Sequence, residues 1–228
     1  MQLILTAPIL NELENRVPSE VVISLERSRR YLYVKRLLDI LGASLLLICL
    51  LPLLIVTAVF IKIDSPGPIL YRQLRVGKDG RHFILFKFRS MRVGADAELA
   101  QLRHLNEASG PLFKMRRDPR VTRVGRVIRR LSIDELPQLL NVLSGDMSLV
   151  GPRPPLPREV EKYAPWHYLR LKAIPGLTGL WQVKGRSQLP FDDGVILDLV
   201  YISRCSLWFD LWILLRTIPA VLTSRGAW

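Results

Sequence analysis

The chain has 228 residues, 33 Lys+Arg against 20 Asp+Glu, a formal net charge of +13 and 49% hydrophobic residues. Its mean hydropathy is +0.20. Intrinsic disorder is excluded, because a packed core is within reach of this composition, and the length fits one domain or one domain with a short appendage. A positive mean hydropathy beside this much charge requires the apolar residues to be concentrated in one stretch. The basic excess draws the surface towards phosphate, whether in a nucleotide, an anionic lipid or nucleic acid. The two cysteines, Cys49 and Cys205, give no disulfide framework, and Cys49 reads as a small apolar filler.

Residues 1–30 are a mixed polar and apolar extension, read as an amphipathic surface segment or a loose end. From Ile40 to Ile61 there are 22 residues without a charge, enough to cross a bilayer, which needs about 20. The run starts too late and is too long for a cleavable signal peptide, and it lacks a small-residue cleavage site. Pro52 near its centre removes one helical hydrogen bond and crowds the preceding turn, so a kink is expected there. Cations flank both ends: Arg27, Arg29, Arg30, Lys35 and Arg36 before it, and Lys62, Arg72, Arg75, Lys78 and Arg81 after it. The positive-inside tendency keeps both flanks at the cytoplasmic face. The expected arrangement is therefore a re-entrant helix that bends at Pro52 and leaves on the face it came from, not a straight span. Protein contacts or water must then satisfy the backbone groups freed at the bend.

Beyond Lys62 the sequence becomes that of a globular protein. Ser65–Pro68 is a turn, and Ile69–Val76 and Phe83–Met91 read as strands around the Gly77–Gly80 turn, giving a β-hairpin. Lys87 and Arg89 lie two apart and share a strand face, where they could hold a phosphate; a solvated face is the ordinary alternative. Ala95–Glu107 reads as a helix. A basic block follows, comprising Lys114, Arg116, Arg117, Arg120, Arg123, Arg126, Arg129 and Arg130. Nucleic acid is one reading of it, but aromatic interleaving, zinc-finger spacing and a recognition-helix pattern are all missing. Anionic headgroups or a diphosphate substrate are the more economical partners of a membrane-tethered chain.

Leu136, Leu139, Leu140 and Leu143 recur at helical spacing, predicting an amphipathic helix. Ser132 with Glu135 fits a capping box, and Pro137 also suits a start at Asp134. Either start puts Asp134 and Glu135 in the first turn, where the helix dipole favours their ionised forms. Acids are ordinary there; what sets this pair apart is its position directly after Arg129 and Arg130. Gly145–Pro154 is a rigid loop in which prolines flank Arg153, as a fixed anion clamp requires, and a second Gly-rich stretch runs from Pro175 to Arg186. Ser206–Leu222 carries only Asp210 and Arg216 as charges, with Trp208, Trp212 and an interrupting Pro219. It reads as an in-plane helix with tryptophans at headgroup level. There is no P-loop, GxGxxG, metal-ligating His/Cys cluster or D-x-D pair. His82, His104 and His167 are scattered and read as structural.

Several motifs now stand in order: Lys35-Arg-Leu-Leu-Asp39, Phe86-Lys-Phe-Arg-Ser-Met91, Ser132-Ile-Asp-Glu-Leu-Pro-Gln-Leu139, Gly145-Asp-Met-Ser-Leu-Val-Gly-Pro-Arg-Pro154, Pro175-Gly-Leu-Thr-Gly179, and Leu197-Asp198 followed by Tyr201. Together they resemble the bacterial sugar transferases known as monotopic phosphoglycosyl transferases, over about residues 31 to 228. The short N-terminal part is expected of a member without the family's extra membrane domain. The resemblance implies a helix-rich α+β monotopic membrane protein at the bacterial inner membrane, with its catalytic domain facing the cytoplasm. Residues 1–30 would be the extension, 31–66 the re-entrant membrane helix, and 67–228 the catalytic domain with its β-hairpin and interfacial amphipathic helices.

The implied reaction moves a sugar-1-phosphate from a UDP-sugar to undecaprenyl phosphate, releasing UMP and opening exopolysaccharide or O-antigen assembly. By resemblance Asp134 is the nucleophile of a ping-pong mechanism with a covalent phosphosugar intermediate, and Glu135 and Mg²⁺ assist, with both carboxylates at the metal. Arg129 and Arg153 fall on family positions as phosphate-binding residues, with Lys87 and Arg89 beside them. Asp198 matches a family carboxylate, and Pro52 matches the break of the membrane helix, although Leu51 replaces the usual polar residue before it. Membrane lipid is an implied partner and nucleic acid is not. The sequence of residues 215–227 resembles exopolysaccharide-type members, pointing to glucose or galactose phosphate. The polymer made and whether the enzyme works as a homodimer stay open. Two other classes compete: a glycosyltransferase that releases UDP, and a membrane-anchored protein binding anionic lipid or nucleic acid.

Overall fold

The computed structural model describes residues 28–185 and 189–223. The expected N-terminal segment up to residue 27, with Arg27 of the basic flank, as well as Arg186 and the last five residues, lie outside the described part.

Helix α1, Arg29–Asp64, is 36 residues long, about 54 Å at 1.5 Å per residue. Among the described residues it is the one helix long and apolar enough to cross a membrane. Its helical assignment continues through Pro52, which is exposed. Leu45, Ile48, Leu51, Ile55 and Ile63 also face outward, while Asp39, Ala43, Thr57 and Ile61 are buried. The buried positions group near the two ends, where the helix meets the rest of the molecule. At the first end, Arg36 donates from Nη2 to the carbonyl of Leu143 (2.7 Å), and Asp39 accepts from Leu149 N–H (2.9 Å) and Ser148 Oγ (3.1 Å). At the other end, Asp64 accepts from Val124 N–H (3.0 Å).

The hairpin forms as its alternation predicts. Strands β1, Leu70–Val76, and β2, His82–Phe88, pair antiparallel from Leu70↔Phe88 to Val76↔His82. Asp79 (φ +54°) and Gly80 (φ +80°) turn the chain between them. The long helix expected at Ala95–Glu107 shrinks to α2, Leu99–Leu102, followed by a 3₁₀ turn at Arg103–Leu105. Only Ala95 and Leu99 are buried in that segment, too few apolar anchors to hold several turns. Helix α3, Arg123–Arg130, is capped by Thr122 Oγ, which accepts from Gly125 N–H (2.9 Å). A β-carbon on Gly125 would lie 1.9 Å from Ser90 O, so only glycine allows α3 to approach the end of the hairpin this closely.

The helix predicted from Ser132 starts differently. Ile133–Gln138 is a 3₁₀ segment, and the α-helix proper, α4, covers Leu139–Ser144. The expected capping box does not form: Ser132 sits at φ +56° and its hydroxyl makes no cap hydrogen bond. Pro137 explains the change, since it has no N–H to close the first α-helical bond back to Ile133. The altered winding also breaks up the leucine stripe, leaving Leu139 fully buried and Leu140 45% exposed.

Two stretches expected to be loops contain a short parallel pair. Strand β3, Ser148–Val150, lies beside β4, Gly176–Thr178. Three residues are too few to show a period in sequence. Gly176 is required at this pairing: a β-carbon there would meet Gly151 N at 2.0 Å. Helix α5, Pro157–Val160, a 3₁₀ segment at Pro165–Lys172, and α6, Leu180–Lys184, lead to α7, Phe191–Arg204, and α8, Leu207–Leu222. The core gathers around Leu139, Val142, Met147, Trp166, Val195, Leu199 and Ile213. The expected C-terminal helix is present as α8, with Pro219 in its last turn. Trp208, Leu211, Leu215, Ile218 and Leu222 form an outward apolar stripe along it. Asp210, one of its two charges, is turned inward, accepting from Tyr201 Oη and Lys35 Nζ, both at 2.7 Å.

Candidate active site

Asp134 and Glu135 lie in the 3₁₀ segment that packs against β2. Strand β2 supplies Lys87, whose Nζ is 2.7 Å from Glu135 Oε1. Arg129 enters from the last turn of α3, near enough for its charge to act on Asp134. Asp134 is 9% exposed. Burial pushes its carboxyl up to about 6; Lys87 and Arg129 oppose that rise and Glu135 adds to it. The expectation that a helix N-terminus would favour the ionised form is corrected here: the carboxyl lies above its ordinary value, not below it. The α-helix begins only at Leu139, and burial outweighs the cations. Ser132, two residues earlier, holds its left-handed conformation without glycine, the kind of backbone strain that accumulates at working sites.

Arg153 leaves the loop after β3, with Nη1 3.6 Å from Glu159 Oε2. That distance is too long for a hydrogen bond, and Nη1 has no other partner. Asp198, on α7, is 1% exposed and paired with the guanidinium of Arg170. Burial pushes its carboxyl up to about 6 against the pull of Arg170 and Arg153. It sits in the core with one oxygen unpartnered.

Of the residues expected at the site, the structure gathers Lys87, Arg129, Asp134 and Glu135. Arg89 is turned away. Its guanidinium donates to the carbonyls of Ser65 (2.7 Å) and Pro66 and to Ser65 Oγ (3.0 Å), closing the C-terminal end of α1. Lys87 and Arg89 share a face in an ideal strand, but β2 ends at Phe88 and the alternation stops with it. Pro52 lies on the exposed side of α1.

Sequence reasoning overlooked Arg75. It is buried on β1, and its charge acts on both Glu135 and Arg153. Burial and Arg153 lower its guanidinium to about 10. The signal was present, since Tyr71, Gln73 and Arg75 alternate on the face of the hairpin that carries Lys87, and Tyr71 pairs directly with Lys87. Arg170, Tyr163 and Glu159 were also missed, and nothing local in the sequence marks them.

No cluster of three or more metal-ligating side chains occurs among the described residues. Adjacent carboxylates on Asp134 and Glu135 nevertheless suit Mg²⁺, which takes one or two protein carboxylates and fills its other positions with water and substrate phosphate. Arg123, Arg126 and Arg130 of α3 are exposed.

The bacterial sugar transferase family matches residues 30–224. The chain belongs to that family. It is 48% identical over 203 residues to the galactosyl transferase CpsE of Streptococcus agalactiae, covering 86% of this chain and 44% of that protein. It is 45% identical over 203 residues to the UDP-glucose:undecaprenyl-phosphate glucose-1-phosphate transferase of Caulobacter vibrioides, covering 85% and 72%. To the exopolysaccharide production protein ExoY of Rhizobium meliloti it is 41% identical over 198 residues, covering 85% and 88%. The chain thus spans less than half the length of CpsE and most of ExoY. The runs on which the sequence resemblance rested lie on the elements just described: the Asp-Glu pair on the 3₁₀ segment, the Pro-Arg-Pro run after β3, and the Pro-Gly run at β4.

Proposed function

We propose that the protein transfers a sugar-1-phosphate from a UDP-sugar to undecaprenyl phosphate at the cytoplasmic membrane face, releasing UMP and beginning exopolysaccharide-type glycan assembly. The observation that carries this reading is a buried carboxylate, Asp134, beside a partly exposed one, Glu135, with Lys87 and Arg129 acting on the pair next to a long apolar helix. Asp134 Oδ attacks the phosphorus that bears the sugar. The bond from that phosphorus to the bridging oxygen breaks, and UMP leaves with the electron pair. An oxygen of undecaprenyl phosphate then attacks the same phosphorus and displaces Asp134, which returns as a free carboxylate. Carboxylates form such covalent phosphoryl intermediates in other enzymes.

Lys87 holds Glu135 by its 2.7 Å ion pair and, with Arg129, offsets the repulsion between Asp134 and an incoming diphosphate. Mg²⁺ held by Asp134 and Glu135 would add charge neutralisation on the phosphate oxygens. The names of the relatives, which mention galactosyl, glucose-1-phosphate and exopolysaccharide production, support a hexose phosphate as the group moved.

The contacts of α1 support the re-entrant arrangement. Its first turns bond to Leu143, Ser148 and Leu149, and its last turn bonds to Val124 and Arg89. All of these belong to the same globular body, which supports a reading with both ends of the helix on one side of the bilayer. The outward stripe of α8, from Trp208 to Leu222, supports an interfacial position for that helix.

The test is to incubate the purified protein with a panel of UDP-sugars, Mg²⁺ and undecaprenyl phosphate, with Asp134→Asn in parallel. Release of UMP that needs the lipid for turnover and is lost in the variant is the expected result. Release of UDP would mean that the sugar alone is moved and would overturn the mechanism.

A further inference from the structure

The run Pro152-Arg153-Pro154-Pro155 contains a single backbone N–H, that of Arg153, and four carbonyls. It cannot brace itself with its own donors, so any fixed shape must be imposed through its carbonyls. All four accept hydrogen bonds from outside the run. Pro152 O accepts from Gly176 N–H (2.8 Å) and Pro155 O from Val76 N–H (2.9 Å). The two between them are held by buried guanidinium groups: Arg153 O by Arg170 Nη2 (3.2 Å) and Pro154 O by Arg75 Nη1 (2.8 Å).

Each of these arginines is itself locked. Arg75 places Nε on Gln73 Oε1 at 3.1 Å, and Arg170 binds Tyr163 Oη at 2.9 Å and pairs with Asp198. Neutral donors would satisfy two carbonyls with far less desolvation than two buried cations. What the cations add is rigidity and positive charge behind Arg153, whose own guanidinium is steadied on its buried Nη1 side by Glu159 at 3.6 Å and whose side chain is still 34% exposed.

We propose that Arg75 and Arg170, the latter braced by Asp198, are positioning residues that pin the Pro152–Pro155 run so that Arg153 presents its guanidinium to a substrate phosphate. The phosphate is that of the nucleoside diphosphate or of the lipid acceptor. The inference rests on the phosphoryl-transfer reading above for the identity of the ligand, and it gives the buried Asp198 a role at second hand, through Arg170.

The experiment is a double-mutant cycle on ligand affinity, measured by isothermal titration calorimetry of the full chain in detergent with UDP and, separately, farnesyl phosphate. Loss of one charge-assisted anchor should weaken binding of the relevant ligand about tenfold in Arg75→Met. Arg75→Lys, which keeps a charged donor for Pro154 O, should stay within about threefold of the parent protein. Because Arg75 acts through Arg153, Arg75→Met should add nothing further once Arg153→Ala is in place. The ligand showing this non-additivity identifies the phosphate that Arg153 holds. Additive losses for both ligands, or unchanged affinity for both in Arg153→Ala, would overturn the proposal. Should Arg75→Met fail to fold by circular dichroism, Arg75→Gln takes its place in the cycle. Binding needs no turnover, so a non-additive cycle in a chain that releases no UMP would uphold the positioning and sink the transfer reading. A parent chain that binds neither ligand would sink both.

Discussion

Replacing Lys87 by Met separates two roles that the site geometry gives it. Its Nζ lies 2.7 Å from Glu135 Oε1, and its charge is the largest influence holding down an Asp134 carboxyl that burial has pushed up to about 6. An opposite charge at close range is worth about one to three pKa units. Lys87 and Glu135 are 22% and 41% exposed, so solvent screening puts the effect at the lower end, about one unit. Removing the cation therefore moves Asp134 from about 6 towards about 7. At pH 7 the ionised fraction falls from about nine-tenths to about one-half, a twofold loss from ionisation alone. The sign follows from the upward shift: activity that needs the carboxylate fades as the pH drops through the carboxyl's value, and in the variant that fading begins about one unit higher.

The assay is the pH profile of kcat/KM for UMP release from pH 5 to 9 at fixed Mg²⁺. An acid limb displaced upwards by about one unit, with variant and parent converging above pH 8.5, is the expected result if Lys87 acts through Asp134. A loss that is constant across the range would mean that Lys87 binds substrate phosphate directly. An unmoved limb would refute the electrostatic account of Asp134 altogether.

Three further outcomes are expected. Asp39→Ala leaves the buried Leu149 N–H and Ser148 hydroxyl without their acceptor, which costs roughly 2–5 kcal/mol for the two groups. Thermal unfolding in detergent should show a fall of several degrees, smaller in Asp39→Asn, which keeps an acceptor oxygen. Gly176→Ala puts a β-carbon 2.0 Å from Gly151 N, so β3 and β4 must separate at a cost of about 1–3 kcal/mol; an unchanged midpoint in denaturant would show that the pairing is not as described. Single cysteines at Arg30 and Ile63, in a background with Cys49 and Cys205 replaced by Ser, should react with a membrane-impermeant maleimide from the same side of sealed vesicles. Reaction from opposite sides would establish a spanning helix.

The parts of this molecule legible in its sequence are those fixed by neighbours in the chain. The apolar run declares α1 through 22 uncharged residues, and alternation about Gly77–Gly80 declares the hairpin. The Asp134–Glu135 pair stood out because Arg129 and Arg130 precede it directly. What was illegible depends on partners far away in sequence. Arg75 meets Pro154 across 79 positions and Asp39 meets Ser148 across 109, and no local pattern marks either. The Ser132 capping box failed for a local reason, the missing N–H of Pro137, that the same sequence offered but that the match to a capping pattern masked. Arg89 illustrates the opposite error: a period was carried one residue beyond the strand that supported it.

These long-range pairs bear on what the membrane helix contributes. Arg89 is satisfied by the carbonyls of Ser65 and Pro66 at the end of α1, Ser148 and Leu149 by Asp39, and buried Asp210 by Lys35. Remove the helix with the Ser65–Pro66 turn that closes it, and the Arg89 guanidinium and two donors around β3 lose their acceptors, while Asp210 loses its cation and keeps Tyr201 Oη. Unpaired buried charges of this kind cost several kcal/mol each, comparable to the whole stability of an ordinary domain when summed. The change near residue 66 is therefore a change of solvent rather than of folding unit. Strand β3 leads directly into the run that carries Arg153, and β2, which carries Lys87, runs on into Arg89. The carboxylate centre and its cations are thus built on elements that the long apolar helix holds in register, which ties the geometry of the site to that helix.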